Sequence, residues 1–343
     1  MRRFMQRERL CKFESTNDNI LDVKSQEKQN EINKIEAPCH SVKEYNEKIE
    51  AVLQKKEYHH WNSKTEQELN RSKIYDYHNK KLSVDKASLQ TQRSILTKYR
   101  DCFDEKNITR MSSEFGSNKT EIYNEPYFIT EIAPDVGLYK VVGVRDFPDG
   151  KICIRDCNDI MRLKHTATHE TMHDLSYQDS DHKVCAQDAG QSNILISQTD
   201  LTSGIHKVQN IEKIIDGKSE SIDYKHYNRY LNEGFTELYT IEQMQERGEY
   251  PDFDSYSQEV GWAVNLREIL GDELIAKAYF GGDIDGLKQR VDEMSSIPGA
   301  WETLNFNIDA YNRTGDLRCK FTADDIIDSL RDEKGGSNNE NGI

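Results

Sequence analysis

The chain lacks any apolar run long enough to cross a bilayer, so no membrane-spanning helix is expected. It is also short of basic charge. Lys and Arg number 46 against 61 Asp and Glu, a formal net charge of −15, which argues against sequence-independent nucleic-acid binding, because that depends on cations neutralising phosphates. The seven cysteines (Cys11, Cys39, Cys102, Cys153, Cys157, Cys185, Cys319) form no closely spaced pair of the kind a structural zinc site uses. Their odd number, and a basic start (Met1–Arg9) with no apolar stretch after it, read as reduced thiols in the cytoplasm. Export by a non-classical route stays open. Mean hydropathy is −0.86 and 31% of residues are charged. Even so, 343 residues suffice for a sizeable core in one or two domains.

What the chain does carry is His169-Glu170-Thr171-Met172-His173. In a helix, positions four apart lie on one face, so both imidazoles can point into a single tetrahedral site. Glu170 falls one step round, where it can reach water beside a metal without ligating the metal, the position of a general base. The turn signal Pro148-Asp149-Gly150 separates Val141–Val144 from Ile152–Ile154, which predicts a β-hairpin leading into this helix. A second stretch, Leu231-Asn232-Glu233-Gly234-Phe235-Thr236-Glu237, opens a helical pattern that runs to about Glu246. Two His and one Glu with an open fourth position is the donor set of a catalytic zinc. Glu233 is the expected third ligand, and Glu237, one turn on, can accept the free N–H of a ligand His and fix its tautomer.

His169-Glu170-x-x-His173 followed by Asn232-Glu233-Gly234-Phe235 resembles a gluzincin metallopeptidase, over roughly residues 125 to 290. The resemblance implies an α+β, zincin-like peptidase domain with a small mixed sheet, an active-site helix and a helical C-terminal lobe. It implies one Zn²⁺ per chain, with His169, His173 and Glu233 as ligands and Glu170 as base. It also implies a cleft-edge strand that pairs with an extended substrate, for which Ile152–Arg155 is the candidate. Two departures stand out. The 59 residues between His173 and Glu233 exceed the short loop of the aminopeptidase and thermolysin-like families, and no Gly-x-Met-Glu-Asn motif lies upstream. Aminopeptidase specificity is therefore not carried over.

Composition and periodicity lay out the remainder. Residues 1–40 read as disordered, 41–112 as a charged helical extension, 113–333 as the peptidase domain and 334–343 as a flexible tail. Ser41 opens one helix, with Tyr45, Ile49, Val52 and Leu53 at helical spacing, and Leu82–Tyr99 makes another. The extension could bind a protein partner, although its dense mixed charge fits a solvated face. Tyr58-His59-His60-Trp61 reads as surface or packing, since adjacent His on a helix point apart. Ser112–Asn118 reads as a linker, and Tyr127–Ile129 and Leu138–Val144 as strands. His165 reads as a helix-start residue or a group behind the ligands, and Cys153 and Cys157 as packing. The interval after His173 predicts a loop and a short hairpin over the cleft. Within it His206, Tyr224 and Tyr227 are candidates to hydrogen-bond the oxyanion of a tetrahedral intermediate. Helices are expected from Ser257 to the end of the ordered chain.

The expected function is zinc-dependent hydrolysis of peptide bonds in a peptide or protein substrate. Two alternatives stay open: a non-catalytic scaffold built on a zinc fold, and a delivered toxin or effector protease with the same chemistry.

Overall fold

The computed structural model describes residues 39–54, 73–114, 120–123, 125–132, 142–145, 151–188, 194–215, 218–251 and 255–337. The Tyr58–Trp61 run, the whole region before Cys39, and the turn at 148–150 lie outside them. The chain is of the α+β class and divides into two units. The first takes described residues up to Arg100, Asp104–Leu175 and Gln243–Pro251; the second takes Asp101–Phe103, Ser176–Glu242 and the described residues from 255 on.

In the first unit, helix α1 (Val42–Leu53) starts where Ser41 accepts the backbone N–H of Glu44, which satisfies one of the amides that a helix start leaves unpaired. Its buried stripe is Tyr45, Ile49, Val52 and Leu53. Helix α2 (Lys73–Lys98) and helix α3 (Glu105–Glu114) follow, so Ser112 belongs to a helix and not to a linker. Strands β1 (Thr120–Tyr123), β2 (Gly143–Arg145) and β3 (Ile152–Arg155) form a mixed sheet in the order β1-β3-β2, with β1 parallel and β2 antiparallel to β3. The β2–β3 pairing is the expected hairpin. Helix α4 (Ile160–Leu175) crosses this sheet. Val84 of α2, Ile122, Ile152 and Ile154 of the sheet, and Leu163 and Ala167 of α4 make one apolar cluster.

Two strand expectations are corrected here. Ile152–Arg155 is the middle strand among the described residues, not an edge. Ile152, Cys153 and Ile154 are all buried, and a strand covered on both faces reads as a continuous apolar run. Among the described residues the edge strand that packs on α4 is β2. Tyr127–Ile129 is helical: Glu125–Tyr127 forms one turn and Phe128–Ile132 a wider one. Pro126 suits the first turn of a helix, where no amide is needed, and Phe128 packs on Cys153.

In the second unit, the interval after His173 is a four-stranded antiparallel meander, not a loop with one short hairpin. Its strands are β4 (Gln178–Asp188), β5 (Ile194–Ser203), β6 (His206–Ile215) and β7 (Lys218–Tyr227), each paired with its neighbour in sequence. Strand β7 is exposed along almost its whole length and β6 is nowhere fully buried. Helix α5 (Arg229–Glu246) follows, then α6 (Ser257–Leu270), α7 (Asp272–Gly281), α8 (Ile284–Met294), α9 (Ala300–Thr314) and α10 (Leu317–Ser337). The last continues through Gly335–Gly336, which composition assigns to a tail. Around α5 and α7 the core is aromatic. The rings of Tyr239, Tyr279 and Phe280 lie 4.9 to 5.5 Å apart, and Phe103 joins at 5.3 Å from Phe280.

Candidate metal centre

Helix α4 is rich in threonine, whose branched side chain is a modest helix former. Here the hydroxyls of Thr166, Thr168 and Thr171 donate to the carbonyls of Arg162, Lys164 and Ala167 at 2.9, 2.8 and 2.6 Å, so each is satisfied within the helix. Thr168 also accepts from Arg247 at 2.9 Å, Arg247 donates to Glu249 at 2.8 Å, and Lys164 donates to Glu249 at 2.7 Å. Burial alone would raise the Glu249 carboxyl, but the hydrogen bonds from Lys164 and Arg247 outweigh it and hold the group below its ordinary value.

His169 and His173 stand one turn apart with ring centroids at 4.9 Å and planes at 78°. Their donor atoms and a carboxylate oxygen of Glu233 all lie within 4.8 Å of one another; His169 is buried, and His173 and Glu233 are half-buried. Two imidazoles and one carboxylate gathered this closely suit a borderline divalent ion such as zinc. The donor set therefore fits the metal that the resemblance implies, and three such ligands would leave a position open.

The Asn232-Gly234-Phe235 surroundings of Glu233 each have a mechanical role that spacing does not reveal. Asn232 is buried, and its side-chain oxygen accepts the Ile205 N–H at 3.0 Å, while Asn228 donates to the Ile205 carbonyl at 3.0 Å. Gly204, in the turn before Ile205, has φ +61° and presses on Asn232 and Tyr279, leaving no room for a side chain. Gly234 lies directly on the backbone carbonyl of Glu259, so a Cβ there would collide with main chain. Phe235 is fully buried. Glu259 itself is buried, and both its burial and the nearby Glu233 raise its carboxyl pKa. Neither Gly234's contact nor Glu259 carries a sequence signal beyond the glycine.

Glu170 is 7% exposed, and its carboxylate packs against Gly143 of β2. A Cβ at Gly143 would lie 2.8 Å from Glu170 Oε1 and 2.5 Å from Thr166 Cγ2. Immediately after His173, buried Asp174 accepts from Arg145 of β2 through Nε at 3.1 Å and forms an ion pair with its Nη2 at 3.0 Å. Arg110 of α3 approaches the same carboxylate at 3.5 Å and donates to the Asp174 carbonyl at 2.8 Å. These contacts fasten β2 alongside the ligand-bearing helix. Asp174 and Arg145 could be recognised as a pair only once the strand and helix were known to be adjacent.

The other expected residues are placed as follows. Glu237 is 2% exposed, one turn beyond Glu233 on α5. His165 is buried in the second turn of α4, its ring 6.3 Å from that of His169. His206 and Tyr224 share one face of the meander with His226: His206 Nε2 lies 2.9 Å from His226 Nδ1, and the Tyr224 ring meets His226 edge-on at 4.9 Å. Tyr227 pairs with Lys207 and, by the alternation of a strand, points to the opposite face. Cys153 and Cys157 serve in packing. No helix among the described residues is long and apolar enough to cross a membrane. No family model, curated protein or solved structure matches the chain.

Proposed function

We propose that the chain is a zinc-dependent metallopeptidase of gluzincin type with a zincin-like fold. The observation that carries the reading is the convergence of His169, His173 and Glu233 to within 4.8 Å; a buried Glu170 on the same helix supports it. The ligands would be the two imidazoles and the Glu233 carboxylate. When bound, zinc supplies Lewis acidity, polarising an oxygen brought to it. Glu170 takes a proton from the water that adds to the peptide carbonyl and returns it to the departing nitrogen. Gly143 leaves the space that the Glu170 carboxylate occupies.

The test combines elemental mass spectrometry of the purified protein with hydrolysis of a peptide library. The reading expects about one zinc per chain in the wild type and in Glu170→Gln, loss of metal in Glu233→Ala, and cleavage by the wild type alone. A folded wild-type protein that takes up zinc and cleaves no peptide leaves the scaffold alternative. One that takes up no metal even when zinc is supplied likewise removes the peptidase reading and leaves the scaffold standing.

A further inference from the structure

Beside the proposed catalytic base, within the first unit, lies a polar cavity of about 350 Å³. Its near wall is Val142 and Thr166. Val142 directly precedes Gly143, and Thr166 shares with Glu170 the contact to that glycine. Arg162, Thr166 and Glu170 recur every four residues along α4, so they form one row on the helix. The cavity therefore reaches to one helical turn from the base and includes Arg162, at the end of the sheet where β3 gives way to the segment leading into α4.

Two arginines, Arg155 and Arg162, and two acids, Glu125 and Asp156, also line it. The charges are not equally available. Asp156 is taken by Lys80, whose ammonium lies 2.9 Å away and is 8% exposed. Glu125 is 60% exposed and approaches Arg155 only to 3.5 Å, whereas the Arg155 side chain is 12% exposed. At 3.5 Å and with its carboxylate largely in water the contact is loose, so Glu125 can swing into water and yield its place. Arg162 is exposed and forms no ion pair among the described residues. What the cavity offers an incoming group is thus one sheltered and one open guanidinium, the donors that bind a carboxylate bidentately. This stands against the field of a chain with net charge −15, which would otherwise repel an acidic ligand.

We propose that this cavity is a specificity subsite that takes an acidic side chain, Glu or Asp, of the peptide substrate, with Arg155 and Arg162 as its specificity-determining residues. The inference rests on the peptidase reading for its substrate, and its test does not require turnover. Zinc-loaded Glu170→Gln protein is titrated into fluorescein-labelled alanine hexapeptides that carry one Glu, Gln or Lys at each position in turn, and binding is followed by anisotropy. At one position the Glu peptide should bind about tenfold more tightly than its Gln isostere. That preference should vanish in Arg162→Gln and turn towards Lys in Arg162→Glu. Arg162 is a surface residue, so both variants should fold; Arg155→Gln is the second, more buried probe. Equal binding of Glu and Gln peptides, no binding of either, or a preference unmoved by Arg162→Glu would overturn the subsite. Cleavage by the wild type, run in parallel, separates the two ideas. Glu-selective binding without cleavage sinks the peptidase reading alone, and cleavage without Glu selectivity sinks the subsite alone.

Discussion

Gly143 and Gly234 show how much of the centre depends on side chains that are missing. A methyl at Gly143 would meet Thr166 and the Glu170 carboxylate, and Glu170 is the more easily displaced. Gly143→Ala should therefore keep its metal and its fold while peptide hydrolysis falls at least about tenfold, since a small misplacement of a catalytic group costs that much or more. Zinc content and kcat, measured on the same preparation, check it. At Gly234 the obstacle is the Glu259 backbone, which cannot turn aside. Gly234→Ala should lower stability by about 1–3 kcal/mol, the usual cost of overpacking, read as a shift in the urea midpoint. It should weaken zinc binding as well, because Glu233 is the adjacent residue. The two glycines thus predict opposite signatures: activity lost with the metal kept, and metal lost with stability.

Among the elements, helix α4 was the most legible, because a five-residue pattern sets its periodicity and the face on which its two His stand. The helices Ser257–Leu270 and Asp272–Gly281 were legible from their glycine stops, whereas Ala300–Thr314 was not singled out in sequence and the last helix begins at Leu317, ahead of the Thr322 expected to cap it. The meander β4–β7 was not. A strand reveals itself by alternating apolar and polar residues when one face is buried, and β6 and β7 bury neither face fully, so residues such as Lys218–Tyr227 leave no such trace. The 152–155 strand gave the opposite difficulty, an apolar run with no alternation to show whether it was central or marginal. The tie between α4 and β2 is also invisible in sequence. Asp174→Ala removes the buried carboxylate that accepts from Arg145, so it should destabilise the protein by about 3–5 kcal/mol, measurable by chemical denaturation. At the other end of α4, Glu249 is a carboxylate depressed on folding. It contributes stability above its unfolded pKa, and loses that contribution as pH falls through the folded value. Below pH 4.5, the ordinary value for the group, wild-type stability should therefore fall more steeply with acid than that of Glu249→Gln, as thermal scans across that range would show.

At the scale of the whole molecule, a metal that binds only the folded chain stabilises it. Free zinc at about a hundred times its Kd should contribute about 2.7 kcal/mol, so a chelator should lower Tm in the wild type and leave Glu233→Ala unmoved. The meander bears on how such a centre survives changes of sequence. Its register sets Gln178 against Ser203, Ser203 against His206, and Tyr227 against Lys207, so the chain enters and leaves the sheet at the same end. Hydrogen bonds from Gly204 to Tyr177 and from Ile205 to Asn232 secure that end. An even number of strands returns the chain to where it started, however long the strands are. Equal trims or extensions at the far tips of the hairpins would leave Tyr177 and Asn228 in place, so the 59-residue interval is free to drift in length through insertion and deletion without parting the two ends of the meander.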